Sequence, residues 1–296
     1  MSHGLGVAEV LASAPEPVVL LFAILTQLGD AWFVFGGVAL LYWLGDDRLT
    51  ENPRTAGALL VALGVCALAA TVALKSFFAV HRPVGAGEAI PPNWLPAALE
   101  AVYRSIATGD GFGFPSGHAT GATVAYGGAA LLYDRLWAKE RRYALAAGFV
   151  VVIALSRLVI GVHLLPDVLA GMVAGLLVLL GTLRLSAGQP DRAFAVATGI
   201  GVVALAVALV GGHTGEATKA ALGIGGGLGG FAEWSRHGEA ERSRVGVPVT
   251  LVGLPVLGVL WGGVYAAELA LPLSALGSAV AVGGILAVPR LVAGRS

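Results

Sequence analysis

Three short polar segments interrupt the apolar stretches of this chain, and together they hold three cationic side chains, Lys75, Arg82 and Arg157. The segments are KSFFAVHRP at 75–83, PSGH at 115–118 and SRLVIGVHLLPD at 156–167. A phosphoryl group in transfer spreads negative charge over three equatorial oxygens, so its transition state needs fixed cations around it. Guanidinium groups also grip two phosphate oxygens at once. These three cations could therefore form a phosphate-binding cradle.

The PSGH segment has the composition of a helix start that could bind phosphate. Pro115 favours the beginning of a helix, where free N–H groups and the positive end of the helix dipole attract an anion. Ser116 would add a hydroxyl group. Gly117 lets an anion approach the backbone because it has no Cβ. We expect Ser116 and Gly117 to contact the same phosphate as the three cations.

The elements that must position these residues are membrane-spanning helices. The chain has 296 residues and is 57% hydrophobic, with a mean hydropathy of +0.84. Only 12% of its residues are charged, against about 25% in an ordinary soluble domain. The formal net charge is zero, so no overall field attracts nucleic acid. The composition predicts an integral membrane protein whose partner is the bilayer, and nothing in it specifies an oligomeric state.

Nine apolar stretches are candidates for helices that cross the hydrocarbon layer, which takes roughly 20 residues. They lie at about 17–44, 55–80, 116–134, 143–161, 166–184, 193–211, 217–232, 247–267 and 270–289. The prediction is an all-α, polytopic transmembrane bundle. It has a six-helix core within residues 1–211 and a C-terminal extension of about three helices, 212–296, whose role the sequence does not define. Glycines in the short seventh stretch would let neighbouring helices approach closely.

Charge placement predicts the orientation of the bundle. Alternating spans place most of the 18 Lys and Arg residues on one side, which the positive-inside rule assigns to the cytoplasm. The first apolar stretch has no basic residue before it, and we expect a retained span rather than a signal peptide. The predicted location is a cell membrane, with the N-terminus and the three polar segments outside and the C-terminus cytoplasmic.

The order of the polar residues resembles the type 2 phosphatidic acid phosphatase superfamily, membrane lipid phosphate phosphatases related to vanadium haloperoxidases. The matching pattern is Lys, six residues, Arg-Pro; then Pro-Ser-Gly-His; then Ser-Arg, five residues, His, three residues, Asp. The resemblance covers about residues 17–211.

The resemblance implies a mechanism and roles for three further residues. His163 would be the nucleophile and would form a phosphohistidine. Asp167 would accept a hydrogen bond from one imidazole nitrogen and leave the other free to attack. His118 would protonate the leaving oxygen and then activate water. The implied substrate is a lipid phosphate monoester or diphosphate at the outer leaflet, such as a polyprenyl diphosphate, and neither a metal nor another cofactor is expected.

Structural roles are the alternative for each segment taken singly. The three basic residues could anchor helix ends in the interface, Pro115 and Ser116 could only cap a helix, and His163 and Asp167 could be a satisfied polar pair. All three segments lie on the side of the bundle that is poor in positive charge, and this shared location favours a common site.

Other functions use the same residues. A lipid phosphotransferase would pass the phosphoryl group to an acceptor other than water. A vanadate-dependent haloperoxidase shares the constellation, but the membrane composition argues against it. A lipid transporter or flippase would use the intramembrane polar residues to line a path.

The sequence also supports structural predictions for two features outside the three segments. The segment WLPAALEAVYRSIA at 94–107 places apolar residues at helical spacing. It predicts a short helix in the outer interface, which is either an entry ramp for lipid or a cover of the bundle. Asp30 lies within the first apolar stretch, where an unpaired carboxylate is costly, so we expect it to face the interior of the bundle.

Overall fold

The computed structural model describes residues 14–239, 243–267 and 269–293, which form eleven α-helices and no strand. The helices are α1 Glu16–Leu25, α2 Ala31–Leu44, α3 Pro53–Phe78, α4 Ala97–Ala107, α5 Gly117–Leu132, α6 Lys139–Val159, α7 Leu165–Ser186, α8 Pro190–Val210, α9 Thr214–His237, α10 Val247–Ala266 and α11 Leu271–Ala293. The prediction of an all-α helix bundle is confirmed.

Within the described ranges, six helices are long and apolar enough to cross a membrane, or seven when α1 and α2 count as one bent span. The protein is therefore a multi-pass membrane protein. Two predicted spans fall outside this set. Helix α5 has only 16 residues, and α9, although 24 residues long, is rich in glycine and carries charged residues at both ends. Both are nevertheless helices of the bundle.

The first span is broken rather than continuous, which corrects the single helix expected at 17–44. A short 3-10 turn, Thr26–Gly29, follows α1, and Asp30 adopts an extended conformation with ψ of 149° before α2 begins. The two helices are bent by 46° at this point. Gly29 lies against helix α6, since a Cβ there would come within 2.5 Å of the Ile153 side chain. The break is thus packed into the bundle.

Helix α3 forms the centre of the bundle, where it packs against α2, α5, α7, α8 and α9. The glycines of α9 allow the close approach that the sequence predicts. A Cβ at Gly225 or Gly229 would collide with the backbone of α11, and one at Gly230 would collide with Phe194 of α8. Tyr42 and Trp43 of α2 donate hydrogen bonds to backbone carbonyls of α11. Helices α9 and α11 of the C-terminal extension are therefore packed into the core, while the functional division near residue 211 stays a prediction.

Candidate active site

Backbone hydrogen bonds bring the three polar segments together at one end of the bundle. The Ser116 N–H donates to the carbonyl of Asp167 at 2.9 Å, which joins the start of α5 to the first turn of α7. The Gly113 N–H donates to the Val80 carbonyl at 2.8 Å, which ties the loop before α5 to the end of α3. Residues that lie far apart along the chain therefore meet at one place.

Arg82 links two of the segments through its guanidinium group. Its Nε donates to the carbonyl of Asp110 at 2.7 Å, and its Nη1 donates to the carbonyl of Val162 at 3.0 Å. The same Nη1 lies 3.0 Å from Nε2 of His163. A Cβ at Gly109 would come within 2.7 Å of Nη1, so glycine leaves the space that this arginine occupies.

The contacts of His163 determine which imidazole nitrogen carries the proton. The ring is buried, with only 1% of the side chain exposed. Because a guanidinium group can only donate, Nε2 must accept from Arg82, and the proton lies on Nδ1. Nδ1 lies 3.4 Å from Oδ2 of Asp167 but does not meet hydrogen-bond geometry, whereas the Leu164 N–H donates to the same oxygen at 2.8 Å. The Asp167 carboxylate thus faces the protonated nitrogen, and Nε2 keeps its lone pair.

The environment of His163 favours its neutral form. Burial, followed by the positive charges of Arg82, Arg157 and Lys75, lowers the pKa of His163 well below its ordinary value of 6.5. The imidazole is therefore uncharged near neutral pH in the substrate-free protein. A neutral imidazole with a free lone pair is the form that can attack phosphorus.

Arg157 and Lys75 add the remaining cations of the predicted cradle. Arg157 is buried; its Nη1 donates to Oγ1 of Thr26 at 3.0 Å, whereas its buried Nε has no protein hydrogen-bond partner in the described ranges. An unpaired buried donor is costly unless a ligand satisfies it. Lys75 lies half-buried in the last turn of α3 and interacts electrostatically with Arg82.

The PSGH segment is a helix start, as predicted. Ser116 is the buried N-cap of α5, and its Oγ accepts from the Ala119 N–H at 3.5 Å. Gly117 is the first residue of the helix, and the side chain of Thr71 is the nearest group that a Cβ there would meet. His118 follows in the first turn and interacts electrostatically with Arg157 and His163. All eight predicted site residues therefore belong to one cluster.

Several residues of this cluster were not predicted. Thr26 and Asp30 come from the break in the first span. Glu216 and Lys219 come from the first turns of α9, where they form an ion pair at 3.1 Å and interact electrostatically with Lys75. One signal for the α9 pair was present in the sequence, since Lys219 is among the few basic residues that the alternating topology places away from the cytoplasmic side.

The Glu216–Lys219 pair gives a stability prediction for the extension. The Glu216 side chain is 7% exposed and that of Lys219 is 24% exposed. Lys219→Met leaves a buried carboxylate without its nearest cation, so we expect a loss of about 2 kcal/mol in unfolding free energy. This loss is smaller than for a fully buried ion pair because Lys219 is partly solvated. Thermal unfolding in detergent measures this. Lys139→Met, at an exposed position, is the control, and equal melting temperatures for both variants would contradict the prediction.

Within the described parts of the chain, no group of three or more His, Cys, Asp or Glu residues is arranged to hold a metal ion. The groups that surround His163 in this cluster are instead the cations Lys75, Arg82 and Arg157.

Comparison with known proteins finds a family that part of the chain resembles. A family model described as the PAP2 superfamily matches residues 55–190, a range that contains all eight predicted site residues. The comparisons with curated proteins and with solved structures found no match. Members of the matched family are generally phosphatases, with phosphatase or phosphotransferase activity on phosphate esters. Residues 55–190 are therefore similar to the PAP2 superfamily, in agreement with the resemblance that the polar segments indicate.

Proposed function

We propose that this protein is a membrane lipid phosphate phosphatase that works through a phosphohistidine on His163 and without a metal ion. The observation that carries the proposal is the environment of that imidazole. Its Nε2 accepts from the Arg82 guanidinium at 3.0 Å, and its Nδ1 faces the Asp167 carboxylate at 3.4 Å. One nitrogen thus keeps a lone pair for attack and the other lies next to a carboxylate, beside cations that can bind the phosphate.

The first step transfers the phosphoryl group to the protein. The substrate phosphate enters between Lys75, Arg82 and Arg157, and the Arg82 N–H that now contacts His163 turns to a phosphate oxygen. Nε2 of His163 then attacks phosphorus in line with the leaving oxygen. The P–O bond to the lipid breaks, and protonated His118 gives its proton to that oxygen.

The second step returns the protein to its starting state. Neutral His118 takes a proton from water, and the hydroxide attacks phosphorus as the bond to Nε2 of His163 breaks. The products are inorganic phosphate, neutral His163 and protonated His118. Asp167 keeps the Nδ1 proton in place throughout, so each cycle begins from the same tautomer.

The proposed substrates are lipids whose phosphate lies at the outer leaflet. The positive-inside rule supports a site on that side of a cell membrane. This placement favours a polyprenyl diphosphate, because recycling such a lipid carrier requires loss of a phosphate. A phosphatidate or another lipid phosphate monoester would fit the same set of cations.

A phosphate-release assay tests the proposed function. The protein is purified in detergent with a chelator present and given a panel of lipid mono- and diphosphates. We expect metal-independent release of inorganic phosphate that His118→Ala strongly reduces. Activity that the chelator removes would contradict the metal-free mechanism. Transfer to an added alcohol or sugar without phosphate release would instead identify a phosphotransferase.

Helix α4 provides a prediction about lipid access. Leu99 and Val102 are 49% and 55% exposed on its outer face, whereas Tyr103 and Ala107 pack against Ala23 of α1. If the exposed face guides acyl or prenyl chains, the double variant Leu99→Ser with Val102→Ser should lower kcat/KM for a long-chain lipid phosphate by about tenfold. The free energy of a tenfold loss is roughly half of the burial energy of one such side chain.

The matched control uses a short, soluble phosphate ester and a second site. We expect the Leu99/Val102 double variant to hydrolyse the short ester at nearly the wild-type rate. Leu136→Ser, at an exposed position in the loop between α5 and α6, should leave both substrates unaffected. An equal loss for long and short substrates would contradict a role in lipid access.

A further inference from the structure

We propose that Asp30, at the break in the first span, is the positioning carboxylate of His118 and holds it ready to protonate the leaving group. This inference rests on the proposed function, and it adds a residue from outside the matched range 55–190. It pairs each histidine with its own carboxylate, Asp167 for His163 and Asp30 for His118.

The position of Asp30 supports this role. Asp30 occupies the N-cap of α2, where an aspartate usually accepts a hydrogen bond from the N–H groups of its own helix. Asp30 makes no such capping bond. Its Oδ2 lies instead 3.7 Å from Nε2 of His118. The carboxylate thus faces the imidazole of another helix and leaves its own helix end uncapped.

The surroundings of His118 also favour this role. Its Nε2 is buried and has no protein hydrogen-bond partner in the described ranges. The ring interacts electrostatically with Arg157, His163, Lys75 and Arg82 of the other segments. Burial in the first place, and then the three positive charges of this set, disfavour a protonated imidazole, whereas a general acid must carry a proton before it can donate one. Asp30 supplies the opposing negative charge at ion-pair distance.

Contacts with α5 and α6 hold the break in the first span against the site. Thr26 Oγ1 accepts from Arg157 at 3.0 Å. The hydroxyl of Tyr126, on α5 with His118, donates to the Leu28 carbonyl at 2.8 Å. On the remaining side, Gly29 packs against Ile153 of α6. A carboxylate on so constrained a backbone can fix the position of its partner.

The proposed role gives the two nitrogens of His118 different functions. In the protonated ring, Nε2–H faces Asp30, and Nδ1–H remains for the leaving oxygen. After that transfer, Nδ1 is the base that accepts a proton from water. Asp30 then stabilises the imidazolium formed in the second step.

Leaving-group dependence tests this role. A lipid alkoxide must be protonated as it leaves, whereas p-nitrophenolate leaves readily without a proton. In single-turnover experiments, we expect Asp30→Asn to slow release of the lipid alcohol by about 10²-fold, which is within the range for a positioned proton transfer. The same variant should change release of p-nitrophenol from p-nitrophenyl phosphate by less than about threefold. His118→Ala should show the same selectivity, and Asp30→Glu should recover part of the lost rate.

Two outcomes would overturn the inference. If Asp30→Asn lost the same rate factor on both esters, Asp30 would have only a structural role. If Asp30→Asn kept the wild-type rate on both esters, Asp30 would have no role in the reaction. Asp134→Asn removes an exposed carboxylate after the other end of α5 and should leave both rates unchanged. A wild-type protein that hydrolyses neither ester would instead contradict the proposed function itself, so the two failures are distinguishable.

Discussion

Replacement of His163 by alanine is expected to lower kcat for lipid phosphate hydrolysis by on the order of 10⁴-fold or more, as for other nucleophiles that act within a catalytic set. The physical reason is that the variant lacks the atom that forms the bond to phosphorus. Arg82 and Arg157 would still bind the phosphate, so KM should change far less than kcat. Inorganic phosphate release from a lipid phosphate at saturating concentration measures the effect.

The folded state of the variant needs a separate check. His163→Asn keeps a polar group of similar size beside Arg82 and Asp167, and it should melt near the wild-type temperature while being as inactive as His163→Ala. A well-folded His163→Asn protein with more than a few per cent of the wild-type kcat would contradict a role for this residue as nucleophile.

Arg82→Lys is expected to lower kcat/KM by about 10²- to 10³-fold, although the charge is retained, because it removes fixed donors aimed at the developing charge. The guanidinium group donates to the Asp110 and Val162 carbonyls and contacts His163 Nε2 at the same time. A lysine ammonium is a single point charge on a flexible stem and cannot hold this planar arrangement. Steady-state kinetics on a lipid phosphate monoester measures the loss.

Arg104→Lys is the matched control for this prediction. Arg104 lies exposed on α4, where it donates to the Ala89 carbonyl at 3.0 Å and lies 3.7 Å from Glu100. The same chemical change there should alter kcat/KM by less than about twofold, because exposed pairs contribute little. If Arg82→Lys kept more than a third of the wild-type kcat/KM, Arg82 would act through its charge alone.

The polar segments were predictable because each is local in sequence. Ser116 caps α5, the structural alternative that its sequence position allowed, since the capping preference depends on only a few neighbouring residues. The spacing of His163 and Asp167 likewise places both at the start of α7, one turn apart. The sequence pattern also indicated that the segments share one side of the bundle. The individual contacts between them, such as that from Arg82 to His163, depend on tertiary packing and did not follow from the pattern.

The break in the first span could not be predicted from hydropathy. An apolar average over residues 17–44 counts Asp30 as one tolerated polar residue in a long helix, whereas the structure places it at a bend whose partners lie on α5 and α6. Glu216 and Lys219 were missed for a related reason. They approach Lys75 because glycines allow α9 to pack closely in the bundle, and such packing is not encoded by local spacing.

Trapping the phosphorylated protein is the most direct test of the central claim. His118→Ala should still accept a phosphoryl group from p-nitrophenyl phosphate, since this leaving group needs no proton, but it lacks the base that activates water for the second step. The intermediate should therefore accumulate, and mass spectrometry after an alkaline quench should find phosphate on the peptide that contains His163. Phosphate on a different residue, or turnover of this ester by His118→Ala at the wild-type rate with no phosphorylated peptide, would contradict the account.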